Sequence, residues 1–148
     1  MTLAYVGLGA NLGDREAAIR RAAELLGAER LSTLRETEPW GYADQPRFLN
    51  AVAELETEEE PQALLERLLA IERELGRVRE GPRYGPRTID LDLLLYGELQ
   101  LDEPGITVPH PRLHERGFVL EPLVELAPEL DVPGRGPVKA LLSRLQSA

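Results

Sequence analysis

The sequence predicts an α+β domain in which an antiparallel sheet and two helices follow the order β-α-β-β-α-β, with both helices on one sheet face. A C-terminal hairpin and short helices complete it. Three observations carry this prediction. Four stretches have the length of strands, the last of them strongly apolar, two segments repeat apolar residues at helical spacing, and glycine and proline punctuate the joins.

The first strand runs from Leu3 to Leu8 and ends at a glycine-rich turn, Gly7-Leu8-Gly9-Ala10-Asn11-Leu12-Gly13. Asp14 then caps a helix with an apolar stripe of Ala18, Ile19, Ala22 and Leu26, stopped by Gly27. A second strand lies at Leu31 to Thr37, before the loop Glu38-Pro39-Trp40-Gly41-Tyr42-Ala43-Asp44-Gln45-Pro46. The third strand spans Leu49 to Glu56, with Val52, Glu54 and Glu56 alternating against Ala51, Ala53 and Leu55. Pro61 opens the second helix, on which Leu64, Leu68, Ile71 and Leu75 share a face, and Gly76 closes it. An Arg-, Gly- and Pro-rich loop leads into the fourth strand, Ile89 to Tyr96. From Gly97 onward a hairpin and short helices at Phe118 to Leu126 and Val138 to Leu145 are expected. Helices confined to one face would leave the other to a ligand.

Residues 1–148 fit one domain with one core. The chain has no cysteine, which removes disulfides, thiolate nucleophiles and Cys-ligated metals from consideration and makes the cytoplasm the default location. The N-terminal MTLAYVGLGANLGD has neither a basic leader nor the ~18 apolar residues of a membrane span, so no membrane association is expected. A net charge of −9 and a pI near 4.8 argue against nucleic acid as a partner. Against that acidity, Arg73, Arg77, Arg79, Arg83 and Arg87 crowd into one stretch, where an anion would bind.

The chemistry is written most plainly in Thr88-Ile89-Asp90-Leu91-Asp92-Leu93-Leu94-Leu95. Side chains alternate along a strand, so Asp90 and Asp92 share one face while Ile89, Leu91, Leu93 and Leu95 enter the core. Their Cα atoms would lie roughly 6.6 Å apart, and two magnesium ions about 3.5–4 Å apart fit between such carboxylates. Solvent-facing acids are the plain alternative for a lone D-x-D. On a strand this apolar, next to an arginine-rich loop, a metal and phosphate site explains them better.

That loop is Arg77-Val78-Arg79-Glu80-Gly81-Pro82-Arg83-Tyr84-Gly85-Pro86-Arg87. Phosphoryl transfer needs positive charge and positioning around a polyphosphate, and the planar guanidinium holds phosphate oxygens in pairs. The alternative is a solvated loop paired with glutamates. The early glycine run is not a nucleotide fingerprint: Leu12 stands where the dinucleotide motif requires glycine, and no Lys-Ser/Thr follows. Asn11 there suits a local backbone hydrogen bond better than a ligand contact. His110 and His114 lack metal-ligand spacing, so zinc is not expected. Trp40, Phe48, Tyr84 and Phe118 are aromatics able to sandwich a flat heterocycle, although each taken singly fits plain core.

The run Arg83-Tyr84-Gly85-Pro86-Arg87-Thr88-Ile89-Asp90-Leu91-Asp92-Leu93-Leu94 closely resembles the signature of 6-hydroxymethyl-7,8-dihydropterin pyrophosphokinases. The resemblance covers essentially the whole chain, through Gly9-Ala10-Asn11-Leu12-Gly13, Asp44-Gln45-Pro46-Arg47-Phe48-Leu49-Asn50, Thr107-Val108-Pro109-His110 and Arg116-Gly117-Phe118. It implies a ferredoxin-like α+β fold and a single pyrophosphokinase domain over residues 1–148. It further implies that Asp90 and Asp92 hold two Mg2+ ions bridging the phosphates of ATP, the co-substrate. Glu72, Arg77, Arg79, Tyr84, Arg87, Thr107, His110 and Arg116 fall at ATP-contacting positions, and Arg83 in a mobile catalytic loop. Thr37, Trp40, Phe48, Asn50 and Phe118 fall at pterin positions, Asn50 at the polar ring edge and Phe118 as a stacking wall. Phe48 replaces a frequent tyrosine, Tyr84 a frequent tryptophan, and Glu38-Pro39-Trp40 a commoner Pro-Pro-aliphatic pattern.

The activity so implied is in-line attack of the pterin hydroxymethyl oxygen on the β-phosphorus of ATP, releasing AMP in a step of folate synthesis. Catalysis falls to Arg79, Arg83, Arg87, Asp90 and Asp92, without an obligate protein partner. Two other classes share the features: a ligand-sensing module of the same fold, and a metal-dependent phosphohydrolase. The aspartate–arginine constellation disfavours the module and the aromatics disfavour the hydrolase.

Overall fold

The computed structural model describes residues 1–37, 47–76 and 89–147. Its architecture is mixed α+β, an antiparallel sheet with four α-helices among the described residues. The elements are β1 (Thr2–Ala10), α1 (Arg15–Leu26), β2 (Arg30–Leu31), β3 (Arg35–Thr37), β4 (Phe48–Thr57), α2 (Pro61–Gly76) and β5 (Asp90–Tyr96). They continue with a hairpin of β6 (Leu101–Glu103) and β7 (Ile106–Val108), a 3-10 turn at Leu113–Glu115, and α3 (Gly117–Leu126). A small hairpin of β8 (Asp131–Val132) and β9 (Gly136–Pro137) precedes α4 (Val138–Ser147).

The main sheet has the order β2-β4-β1-β5, with β3 also paired to β4. β1 therefore lies inside it, antiparallel to β4 and β5. α1 begins where the sequence predicts: the Asp14 carboxylate accepts the Ala17 N–H at 3.1 Å, and Gly27 ends the helix in the left-handed region at φ 80°. Ile19, Ala22, Leu26, Leu64, Leu68 and Ile71 from α1 and α2 pack on the β1 face made by Ala4, Val6, Leu8 and Ala10. Arg67 of α2 ties the pair together, donating to the Leu26 carbonyl at 2.9 Å and to the Glu59 carboxylate at 2.7 Å.

Four expectations are corrected. α1 and α2 share one face as expected, but the other is not left free: α3 and α4 cover part of it, where Tyr5, Val52, Leu94 and Leu95 form a second buried cluster with Leu113, Leu120, Leu123 and Leu141. Apolar side chains on both faces demand cover on both. The predicted strand Leu31 to Thr37 is two short pieces, because the Ser32 hydroxyl takes the Val52 N–H at 2.9 Å and breaks the ladder. Gly7 and Gly9 lie inside β1, not in a turn, and Gly13 is the residue of that run with a positive φ, 64°. Finally, the register of β5 against β1 shifts between Tyr5 and Val6, which pair with Leu95 and Leu93. Leu94 is the extra residue of a bulge, so Leu95 joins the second cluster and not the first, as strict alternation had required.

Candidate active site

The site is a consequence of register. Antiparallel neighbours share a face, and Gly9 pairs with Asn50 on one side and Asp90 on the other; Gly7 pairs likewise with Val52 and Asp92. Two rows, Asn50–Gly9–Asp90 and Val52–Gly7–Asp92, thus cross the sheet, each with a glycine that carries no side chain at its middle. The missing side chains leave a trough. A Cβ on Gly9 would stand 2.9 Å from Asn50 Oδ1, whereas one on Gly7 would make ordinary contact with Leu94 at 3.5 Å.

A cavity of about 400 Å³ rises from this floor. Asp90, half-buried, and Asp92, exposed, form one side. Thr37, Phe48 and Asn50 form the opposite side, where Asn50 Nδ2 donates to Thr37 Oγ1 at 2.6 Å and so aims its carbonyl oxygen. Phe118 and Arg116, from the start of α3, close one end, with the Arg116 guanidinium over the Phe118 ring at 5.6 Å from its centroid. The structure brings together Thr37, Phe48, Asn50, Asp90, Asp92, Arg116 and Phe118 of the expected residues.

The others stand differently. Glu72 does not line the cavity; its carboxylate accepts the Leu91 N–H at 2.7 Å and so braces β5 between the two aspartates. His110 lies off the cavity lining, its backbone N–H donating to the Leu94 carbonyl at 2.9 Å. Its Nδ1 accepts the Arg112 N–H at 3.1 Å, which leaves the neutral ring's proton on Nε2. Burial pushes His110 below the ordinary imidazole value and Arg116 and Arg112 push the same way, while Asp92 opposes them. Thr107 hydrogen-bonds Asp102 at 3.2 Å on the exposed hairpin, apart from the cavity. Arg77, Arg79, Arg83, Tyr84, Arg87 and Trp40 lie outside the described residues.

Sequence reasoning missed Gly7 and Gly9 as floor, and Arg112 and Glu115 as wall. The available signal was spacing: Arg112, Glu115 and Arg116 surround Leu113, fully buried at 0% exposure, as neighbours on one helical turn. Asn11 does not make the local hydrogen bond expected of it. It is 1% exposed, and both its amide atoms lack a partner among the described residues.

Magnesium fits the donor set. Asp90 and Asp92 are hard oxygen donors on one face of β5. Mg2+ is characteristically bound by one or two carboxylates, with phosphate and water completing its shell.

The family model described as 7,8-dihydro-6-hydroxymethylpterin-pyrophosphokinase matches residues 5–128. The 2-amino-4-hydroxy-6-hydroxymethyldihydropteridine pyrophosphokinase of Pseudomonas aeruginosa is 50% identical over 135 residues, 87% of this chain and 83% of that protein. The enzyme of the same name from Bacillus subtilis is 45% identical over 87% of this chain and 80% of its own length. In fold, the chain matches the wild-type Plasmodium falciparum HPPK-DHPS crystal structure with pteroate at a TM-score of 0.75 and 15% identity. That match covers 99% of this chain and 42% of the longer one.

Proposed function

The chain belongs to the 7,8-dihydro-6-hydroxymethylpterin-pyrophosphokinase family and is a pyrophosphokinase of folate biosynthesis; on that premise we propose that the trough over Gly7 and Gly9 is where ATP and the reduced pterin meet. The observation that carries this reading is the pairing of the two cross-sheet rows. One row runs from a polar amide to a carboxylate, the other from an apolar side chain to a carboxylate, and the middle position of each is a glycine.

Asn50, aimed by Thr37, reads the polar edge of the pterin, and Phe48 and Phe118 bound its flat faces. Asp90 and Asp92 hold two Mg2+ ions, which when bound neutralise the phosphates and orient the transferring group. Arg116, steadied over Phe118, meets the polyphosphate from the opposite side, and Glu72 keeps both aspartates aimed by fixing the Leu91 amide. The pterin hydroxymethyl oxygen attacks the β-phosphorus in line, AMP leaves, and no covalent enzyme intermediate forms. Arg77, Arg79, Arg83, Tyr84 and Arg87 supply further phosphate contacts and transition-state charge, and Trp40 a further pterin contact; Thr107 and His110 bind the nucleotide from the β7 side. The finer fold reading belongs here too. With β2 and β3 taken as two pieces of one strand, the order is the ferredoxin-like βαββαβ arrangement, and the C-terminal third is an addition that closes the second face. The site operates as one 1–148 domain in the cytoplasm; no described helix is long and apolar enough to cross a membrane.

The deciding assay follows AMP release from ATP and magnesium, with and without 6-hydroxymethyl-7,8-dihydropterin. AMP that appears only with the pterin supports the reading. Phosphate release without the pterin would assign a hydrolase, and binding without AMP a sensing module.

A further inference from the structure

Arg112 and Glu115 line the same cavity as the aspartates, and their present arrangement is a weak one. Arg112 Nε stands 3.4 Å from Glu115 Oε1, with the two side chains 62% and 53% exposed. Such exposed pairs contribute little and exchange readily. Their backbone, by contrast, is fixed. Leu113 between them is fully buried, the Arg112 N–H is held by His110 Nδ1, and the Glu115 N–H donates to the Arg112 carbonyl at 3.0 Å. The guanidinium is therefore a movable head on an immobile base. It contrasts with Arg116, whose guanidinium rests on the Phe118 ring.

The charge of the cavity makes this arrangement informative. Among the described residues, Asp90, Asp92 and Glu115 place three carboxylates on its lining beside the guanidiniums of Arg112 and Arg116. A guanidinium on this lining that can turn toward a polyphosphate offsets the repulsion from the carboxylates beside it. The Nε–carboxylate contact engages one N–H of Arg112, and guanidinium carries five donors suited to paired phosphate oxygens.

We propose that Arg112 is a phosphate-binding residue of this site, which exchanges its contact with Glu115 for the polyphosphate of ATP. The inference rests on the proposed reading of the cavity as the ATP and pterin site. It gives Glu115 an opposing part, since its carboxylate competes with phosphate for the same guanidinium and repels the incoming anion.

The two residues therefore have effects of opposite sign, which a merely structural role does not produce. ATP binding in the presence of magnesium and the absence of pterin, measured by calorimetry at fixed ionic strength, reads them directly. Arg112→Gln should weaken ATP binding roughly tenfold, Arg112→Lys should recover part of that loss, and Glu115→Gln should tighten binding about two- to threefold. Pterin binding measured alone should stay as in the wild type for all three. Unchanged ATP affinity in both arginine variants, or weaker binding in Glu115→Gln, would overturn the proposal while a wild type that releases AMP keeps the reading of the cavity intact. A wild type that neither binds ATP nor releases AMP would remove both. Because both side chains are exposed, folding of the variants is checked simply by coincident thermal melts.

Discussion

The two faces of the central sheet are made by the same strands and serve opposite ends. Toward α1 and α2, β1 presents Ala4, Val6, Leu8 and Ala10, all buried in the first cluster. Toward α3 it presents Tyr5 and then Gly7 and Gly9. At Tyr5 the second face is as closed as the first: the phenol donates to Glu54 at 2.7 Å, and burial together with that carboxylate pushes its pKa upward. Arg30 reaches the same Glu54 at 3.6 Å and donates to the Leu126 carbonyl of α3. Two residues further along, the side chains stop and the trough begins. The difference shows how one strand, through its period of two, can anchor a core with one set of positions and floor a site with the other.

The sharpest way to break this comparison is to remove a group from each face. Asp92→Ala on the open face should cut kcat by roughly a thousandfold or more, with the melting transition near that of the wild type. The measurement is AMP release alongside a thermal melt, and substantial turnover would refute the metal role. Leu68→Ala on the closed face should do the reverse. Leu68 is fully buried, and its truncation should lower stability by about 2–5 kcal/mol while the folded fraction keeps its KM values. Urea unfolding and initial rates at low temperature check both halves of that statement.

A finer test adds atoms to the floor. Gly9→Ala brings a methyl to 2.9 Å from Asn50 Oδ1, so the amide that Thr37 aims must turn away. Gly7→Ala meets Leu94 at 3.5 Å, an ordinary contact. The expected outcome is a roughly tenfold loss of pterin affinity for Gly9→Ala and a small change for Gly7→Ala, both well folded. Equal effects would mean that the trough does not distinguish its two rows.

Much of this contrast was legible beforehand, and the misses have a common cause. The shared face of Asp90 and Asp92 follows from alternation, and the limits of α1 follow from Asp14 and Gly27, because a carboxylate cap and a left-handed glycine are local chemistry. Glycine is ambiguous in a way aspartate is not: Gly7 and Gly9 signal a turn by propensity, and only pairing with Asn50 and Asp90 reveals them as floor. The bulge at Leu94 is equally hidden, since Leu93-Leu94-Leu95 reads the same in any register. Arg112 and Glu115 look like ordinary surface charges until Leu113 is seen to be their pivot. The arginine-rich loop and Trp40, prominent in the sequence, fall outside the described residues.

The smallest expected effect compares the clamps that hold helices to each face. Near the closed face, the hydrogen bond from Arg67 holds the Glu59 carboxyl below the ordinary glutamate range, outweighing burial. Near the open face, burial raises Glu125, but hydrogen bonds from the Thr33 N–H and hydroxyl and from Arg35 outweigh it and leave that group lowered as well. A carboxyl whose folded pKa lies below its unfolded one binds more protons in the unfolded chain between those two values, so stability rises with pH across that window. The contribution is complete above the unfolded value of about 4.3 and is lost as pH falls through the folded value. Both carboxylates are about one-third exposed, so solvent screens each to no more than roughly 1 kcal/mol. Urea midpoints taken between pH 6 and 3 should therefore fall toward acid, and Glu59→Gln or Glu125→Gln should flatten that slope. Only the second should also reach the site, because Arg35, released from Glu125, pairs across the sheet with Asn50. A raised pterin KM in Glu125→Gln and an unchanged one in Glu59→Gln would separate the two faces; the opposite pattern would show that the clamps are coupled through the core.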